Sequence, residues 1–154
     1  MLAGKGWTPT FPSPLCTPHR TVGDALAALH SFTTRIELLQ LTETQEAYIA
    51  EYERRSCCAR PRDLHEARPS RTLTCQNLGN STSDMARIRL ADGSRRQLTV
   101  PEAAALQGFD AGFDFTNSSR RVAMRMIGNA LPPPLAFHIA RHMLNELRTR
   151  EAAA

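Results

Sequence analysis

Cysteine and arginine are the residue types in this sequence with the most chemistry to offer. The four cysteines, Cys16, Cys57, Cys58 and Cys75, could act as thiolate nucleophiles or hold a soft metal. A zinc site drawn from Cys57, Cys58, His65 and Cys75 is conceivable. Adjacent cysteines rarely both aim at one tetrahedral ion, however, and no Cys-x-x-Cys pair occurs. Small, reduced, buried or half-buried side chains are the simpler reading. His138 and His142 have the spacing of helix-borne metal ligands, but no third ligand lies near them in the chain, so a surface role and no metal are expected. The basic side chains are 18 Arg and the single Lys5 against 15 acidic ones, a formal charge of +4. A planar guanidinium suits phosphates and base edges, which is compatible with nucleic acid; scattered solubilising charge would give the same count.

The elements that must position these groups come from 154 residues, 42% of them hydrophobic. That length suits one modest domain or two small lobes. No apolar run approaches the roughly 18 residues of a membrane span, and the Pro-rich N-terminus lacks the apolar stretch of a secretory signal. No membrane partner and a cytoplasmic location are therefore expected. Gly4, Gly6, Pro12, Pro14 and Pro18 predict an extended lead-in over residues 1 to 20. Val22, Ala25, Leu26 and Leu29 predict a short helix from Thr21 to about His30. Thr42 and Gln45 form a capping box that opens a helix ending at Arg54 or Arg55.

Between Arg54 and Arg96 ten arginines face four acids, Asp63, Glu66, Asp84 and Asp92. Within that stretch Arg71 to Cys75 favours a strand, and Ala86 to Leu90 and Arg95 to Thr99 flank the Asp92-Gly93 hairpin signal. A basic, β-rich lobe is the expectation, against a solvated surface with arginine scattered over it. Thr99 and Glu102 form another capping box with Pro101 in its first turn, and that helix runs to Gly108. The last helix begins around Pro132 to Pro134 and sets Leu135, Ile139, Met143 and Leu147 in an apolar stripe.

Two segments resemble the closing signatures of the DNA cytosine-5 methyltransferases. Arg96-Gln97-Leu98-Thr99-Val100-Pro101-Glu102-Ala103-Ala104-Ala105-Leu106-Gln107-Gly108-Phe109 is similar to that family's ninth conserved block, usually Arg-x-Leu-Thr-x-Arg-Glu-x-Ala-Arg-Leu-Gln-x-Phe-Pro. Ile127-Gly128-Asn129-Ala130-Leu131-Pro132-Pro133 is similar to its tenth, Gln-Ile-Gly-Asn-Ala-Val-Pro-Pro. Upstream, Thr21-Val22-Gly23-Asp24-Ala25-Leu26 resembles the helix after the eighth block, and Arg68-Pro69-Ser70-Arg71-Thr72-Leu73-Thr74 resembles the Thr-Leu element of the target recognition domain. The chain departs from the pattern at Pro101 and Ala105, where the family usually has Arg, at Asp110 for Pro and at Met126 for Gln. Those arginines commonly tie the recognition lobe together by charged hydrogen bonds, so a loosened lobe or an altered DNA contact is expected.

The resemblance implies an α/β fold: a small basic β-rich target recognition lobe, with flanking helices that complete a Rossmann-like, S-adenosylmethionine-dependent catalytic lobe. It assigns residues 1–31 to the catalytic lobe, 32–112 to the recognition lobe with the ninth block, and 113–154 to the tenth block and a C-terminal helix returning to the catalytic lobe. The implied partner is double-stranded DNA, in a restriction-modification setting. The implied chemistry is base flipping, thiolate attack at C6 of cytosine and methylation at C5. The family's nucleophile follows a proline directly, and this sequence has no Pro-Cys pair; Cys16 follows Leu15. The Phe-x-Gly-x-Gly, Glu-Asn-Val and Gln-x-Arg-x-Arg blocks are missing too, so no catalytic residue is assigned. Thr72 and Leu73 are expected to face DNA, with Arg71, Arg87, Arg89, Arg95 and Arg96 as further phosphate or base contacts, and Asn129 and Ala130 to border the cofactor. The expectation is a C-terminal half that works with a separate chain supplying the catalytic cysteine. The competing reading is a non-catalytic DNA-binding module or a decayed remnant.

Overall fold

The computed structural model describes residues 8, 10–14, 18–29, 39–57, 62–79 and 84–152. The chain divides into two compact units, Met1–Pro18 with Leu131–Ala154, and His19–Ala130.

The larger unit begins with α1 (Val22–Leu26), continued as a 3-10 turn over Ala27–Leu29. A Thr21–Asp24 capping box opens it, and the Val22 and Gly23 amides donate to the Arg68 and Glu66 carbonyls at 2.8 and 2.9 Å. A Cβ at position 23 would lie 3.2 Å from that Glu66 oxygen. The next helix, α2 (Glu43–Arg55), starts at the Thr42–Gln45 capping box and ends where the spacing predicts.

Strands β1 (Asp63–Leu64), β2 (Arg87–Arg89) and β3 (Arg95–Gln97) form one sheet in that order, with β1 and β2 parallel and β2 and β3 antiparallel. The hairpin turns at Gly93, whose φ of +87° is the conformation that favours glycine. Together with the helices this makes a mixed α/β fold, and among the described residues strand is confined to these three short segments. The strand expected over Arg71 to Cys75 does not form; residues 71–74 are irregular and α3 (Cys75–Gly79) starts there. Local side-chain bonds win over the ladder. The Thr74 amide donates to Asn77 Oδ1 at 2.9 Å, the Asn77 amide donates to Thr74 Oγ1 at 3.3 Å, and Asn77 Nδ2 takes the Thr72 carbonyl that a sheet would need.

Helix α4 (Val100–Gln107) has the Thr99–Glu102 capping box, and Gly108 closes it at φ 90°. Helix α5 (Arg120–Asn129), capped by Ser119, is an element the sequence reading did not name. Leu73, Leu78, Ala86, Leu98, Ala103, Ala104, Met124 and Ile127 form the core, supplied by the segment before α3, by α3, α4 and α5, and by the strand ends. The backbones of α5 and α3 touch: a Cβ on Gly128 would meet the Cys75 nitrogen at 2.3 Å and the Thr74 carbonyl carbon at 2.5 Å, so only glycine fits.

The smaller unit contains α6 (Pro133–Ala152), none of whose residues is buried. Leu135, Phe137, Leu144 and Leu147 of α6 are all exposed, Phe137 at 65%. Thr10 donates to Glu146 and meets His142 Nε2 at 3.0 Å, and His138 Nε2 lies 3.2 Å from the Ser13 carbonyl. Both histidines therefore serve the contact with residues 10–14.

Candidate functional site

Three constellations carry the candidate chemistry, and each is built by a pairing of elements in the larger unit. The first is the segment leading into α3. Leu73, 6% exposed, anchors it in the core, and its neighbours Thr72 and Thr74 are exposed. Asn77, 2% exposed, holds the peptides on either side of Leu73 through the two bonds described above. Arg71 lies against it and donates to Asp84 Oδ1 at 2.8 Å, a carboxylate that Arg62 shares. Burial pushes the Asp84 carboxyl up, and the hydrogen bonds and charges of Arg71 and Arg62 more than reverse it, leaving it below the usual range.

The second constellation is an ion-pair network across the sheet and α2. Arg87 and Arg89 stand one residue apart on β2 and so share a face, and Arg95 pairs with Arg89 across the strands. Three like charges would repel; Asp63 of β1 and Glu46 and Glu53 of α2 neutralise them. Arg87 is completely buried, its Nε donating to Asp63 Oδ1 at 2.5 Å and its Nη2 to Glu53 Oε1 at 2.7 Å. Arg89 reaches Asp63 Oδ2 at 2.7 Å with its side chain 47% exposed. Arg95 pairs with Glu46, Asp63 and Glu53. Burial pushes the Asp63 carboxyl up, but Arg87, Arg89 and Arg95 hold it below the ordinary range. Arg96, 8% exposed, makes a two-pronged pair with Glu102 at 2.7 and 2.8 Å.

The third constellation is the end of α5. Asn129 is exposed, and its side-chain amide has no hydrogen-bond partner among the described residues. The Ala130 amide donates to the Ile127 carbonyl at 3.2 Å, and the Ala130 carbonyl accepts from Gln107 Nε2 at 2.8 Å. Gln107, 9% exposed, thereby ties the end of α4 to the end of α5. Beside α1 and α4 a cleft of about 570 Å³ opens, lined by Arg20, Leu29, Pro101, Phe109, Phe113 and Phe115 among others. Its three phenylalanines pack on one another with ring centroids 4.9 to 5.4 Å apart.

Of the residues set toward DNA by sequence, Thr72 and Arg89 are exposed and Arg71 is half-buried. Leu73 belongs to the core, and Arg87, Arg95 and Arg96 are buried in ion pairs. Sequence reasoning did not single out Asn77, Glu46 or Glu53, and gave Gln107 only as one member of the ninth block; Asn77 has a local signal, the Thr74-x-x-Asn77 spacing of a reciprocal cap. Cys58, one of the conceivable zinc ligands, lies outside the described residues. Among the described residues no group of three or more His, Cys, Asp or Glu could hold a metal ion, and no helix is long and apolar enough to cross a membrane.

The family model for C-5 cytosine-specific DNA methylase matches residues 19–145. The chain is 45% identical over 130 residues to the type II methyltransferase M.AplI of Arthrospira platensis, an alignment covering 84% of this chain and 37% of that protein. It is 42% identical over 52 residues to DNA (cytosine-5)-methyltransferase 2 of Arabidopsis thaliana, covering 34% of this chain and 3% of the relative. With the type II methyltransferase M.FnuDI of Fusobacterium nucleatum it shares 38% identity over 56 residues, 36% of this chain and 16% of the relative. The chain thus spans little more than a third of M.AplI and less of the others. No solved structure matches it.

Proposed function

The chain belongs to the C-5 cytosine-specific DNA methylase family, and on that premise we propose that it forms the DNA-recognising, C-terminal part of a DNA (cytosine-5)-methyltransferase. It acts on C5 of cytosine only together with a polypeptide that supplies the catalytic cysteine. The observation that carries this reading is the backbone contact at Gly128. The tenth block and the Thr72 segment, far apart in sequence, meet there in one packed unit that also holds the ninth block through Gln107.

The roles divide by exposure. Thr72 offers a hydroxyl at the surface, and half-buried Arg71 and exposed Arg89, paired through two nitrogens each with Asp84 and Asp63, turn their remaining guanidinium donors to phosphate oxygens. Leu73 anchors that surface from inside. Arg87, Arg95 and Arg96, engaged in internal ion pairs, brace the recognition lobe, proposed as residues 32–112, instead of contacting DNA. Residues 1–31 and 113–154 complete the Rossmann-like catalytic lobe, and the exposed apolar side chains of α6 are suited to that contact.

Family members use S-adenosylmethionine, which supplies the methyl group when bound. Asn129 fits a place at its edge, with an exposed amide whose donors and acceptor are open. Ala130 fits less fully: its N–H and one carbonyl lone pair are engaged, leaving its methyl group and a second lone pair for contact.

The test of the recognition role is duplex binding by the chain alone. Log affinity should fall linearly with log salt, with a slope of about −0.9 for each phosphate neutralised. Salt-independent binding, or none, contradicts the proposal.

A further inference from the structure

We propose that Asn77 is a positioning residue for DNA contact: it fixes the peptides on either side of Leu73 so that the Thr72 hydroxyl stands out from the surface. The inference rests on the reading of Thr72 as DNA-facing and deepens it. Both side-chain polar atoms of Asn77 serve this one segment, Oδ1 accepting the Thr74 N–H and Nδ2 donating to the Thr72 carbonyl, each at 2.9 Å. Its own carbonyl accepts the Ala86 amide at 2.8 Å, which fastens the clamp to the entry of β2. From below, the segment rests on Gly128, where a Cβ would lie 2.3 Å from the Cys75 nitrogen. With Leu73 held in the core, the segment is fixed at three points: a side chain, an amide clamp and a backbone seat. The Thr72 hydroxyl itself has no partner among the described residues. A donor held this way loses little freedom when it meets a phosphate oxygen, which is how supporting residues raise affinity without touching the ligand.

A double-mutant cycle with the full chain and a fluorescent mixed-sequence duplex separates this role from general stability, provided each variant is assayed below its own unfolding temperature. Thr72→Val lowers affinity about tenfold in the native background, the loss of one hydrogen bond to a charged group. Asn77→Ser is one bond too short to reach the Thr72 carbonyl; in that background Thr72→Val changes affinity less than twofold. A tenfold loss in both backgrounds overturns the inference while leaving the DNA-binding function standing. A native chain that does not bind the duplex overturns the functional reading and this inference with it. A second measurement needs no variant. The Thr74 amide in the native chain exchanges with deuterated solvent slowly, and stays slow when DNA is added; rapid exchange there overturns the clamp.

Discussion

Replacing Arg87 by Met should unfold the protein more readily without loosening its hold on DNA. Arg87 is completely buried and binds Asp63 and Glu53 at 2.5 and 2.7 Å. Removing one partner of a buried ion pair costs about 3–5 kcal/mol, because the charge left behind is uncompensated. Here the orphaned groups keep some help: Asp63 retains Arg89 at 2.7 Å and Arg95 at 3.3 Å, and Glu53 retains Arg95 at 3.4 Å. The expected cost therefore sits at the low end, about 3 kcal/mol. With a urea dependence of about 2 kcal/mol per molar, the denaturation midpoint falls by roughly 1.5 M, a large share of the stability of a small domain. Urea titration followed by circular dichroism reads this directly. Duplex affinity of the folded Arg87→Met chain, measured in parallel, stays within about twofold, the effect of one screened charge. A tenfold loss of affinity at an unchanged urea midpoint would refute the bracing role and return Arg87 to the DNA surface.

The remaining predictions concern other parts of the fold. Gly128→Ala pushes a methyl group into the α3 backbone, and overpacking of about 1–3 kcal/mol or more should appear as a lowered thermal midpoint; an unchanged midpoint contradicts the close approach. Asp63 and Glu102 are held below their unfolded values of about 3.9 and 4.3 by their arginine partners, which outweigh burial. Their contribution is therefore complete above those values and is lost as pH falls through the lower folded ones, so the urea midpoint should drop below about pH 4 and drop less steeply in Asp63→Asn. The exposed apolar residues of α6 should drive self-association of the isolated chain, which Leu144→Lys reduces in sedimentation velocity; a monomeric native chain would argue against an unpartnered face.

Much of the framework is legible in the sequence because it is set by short-range rules. The capping boxes at Thr42 and Thr99, and the turn at Gly93, depend on residues within a few positions of one another, and each forms as its spacing predicts. Arg71 to Cys75 misleads because its β propensity competes with a cap supplied by Asn77, and the local hydrogen bonds prevail. Helix α5 has a local signal of the same kind, the Ser119 cap, and its last residues, Ile127 to Asn129, belong to the tenth block. The arginines illustrate a harder limit. Their number and position are plain, but whether a guanidinium faces phosphate or carboxylate depends on Glu46, Glu53 and Asp63, which lie 24 to 49 residues away in the chain. Composition counts the charge; only the fold says which of it is already neutralised.

The most direct test of the central claim is methyl transfer from S-adenosylmethionine to duplex DNA, measured with this chain, with a polypeptide carrying the first eight conserved blocks, and with the two mixed. The account predicts C5-methylated cytosine in the mixture and in neither component alone. No transfer in any pairing with such a polypeptide, while this chain still binds DNA, would contradict it and favour a non-catalytic DNA-binding module.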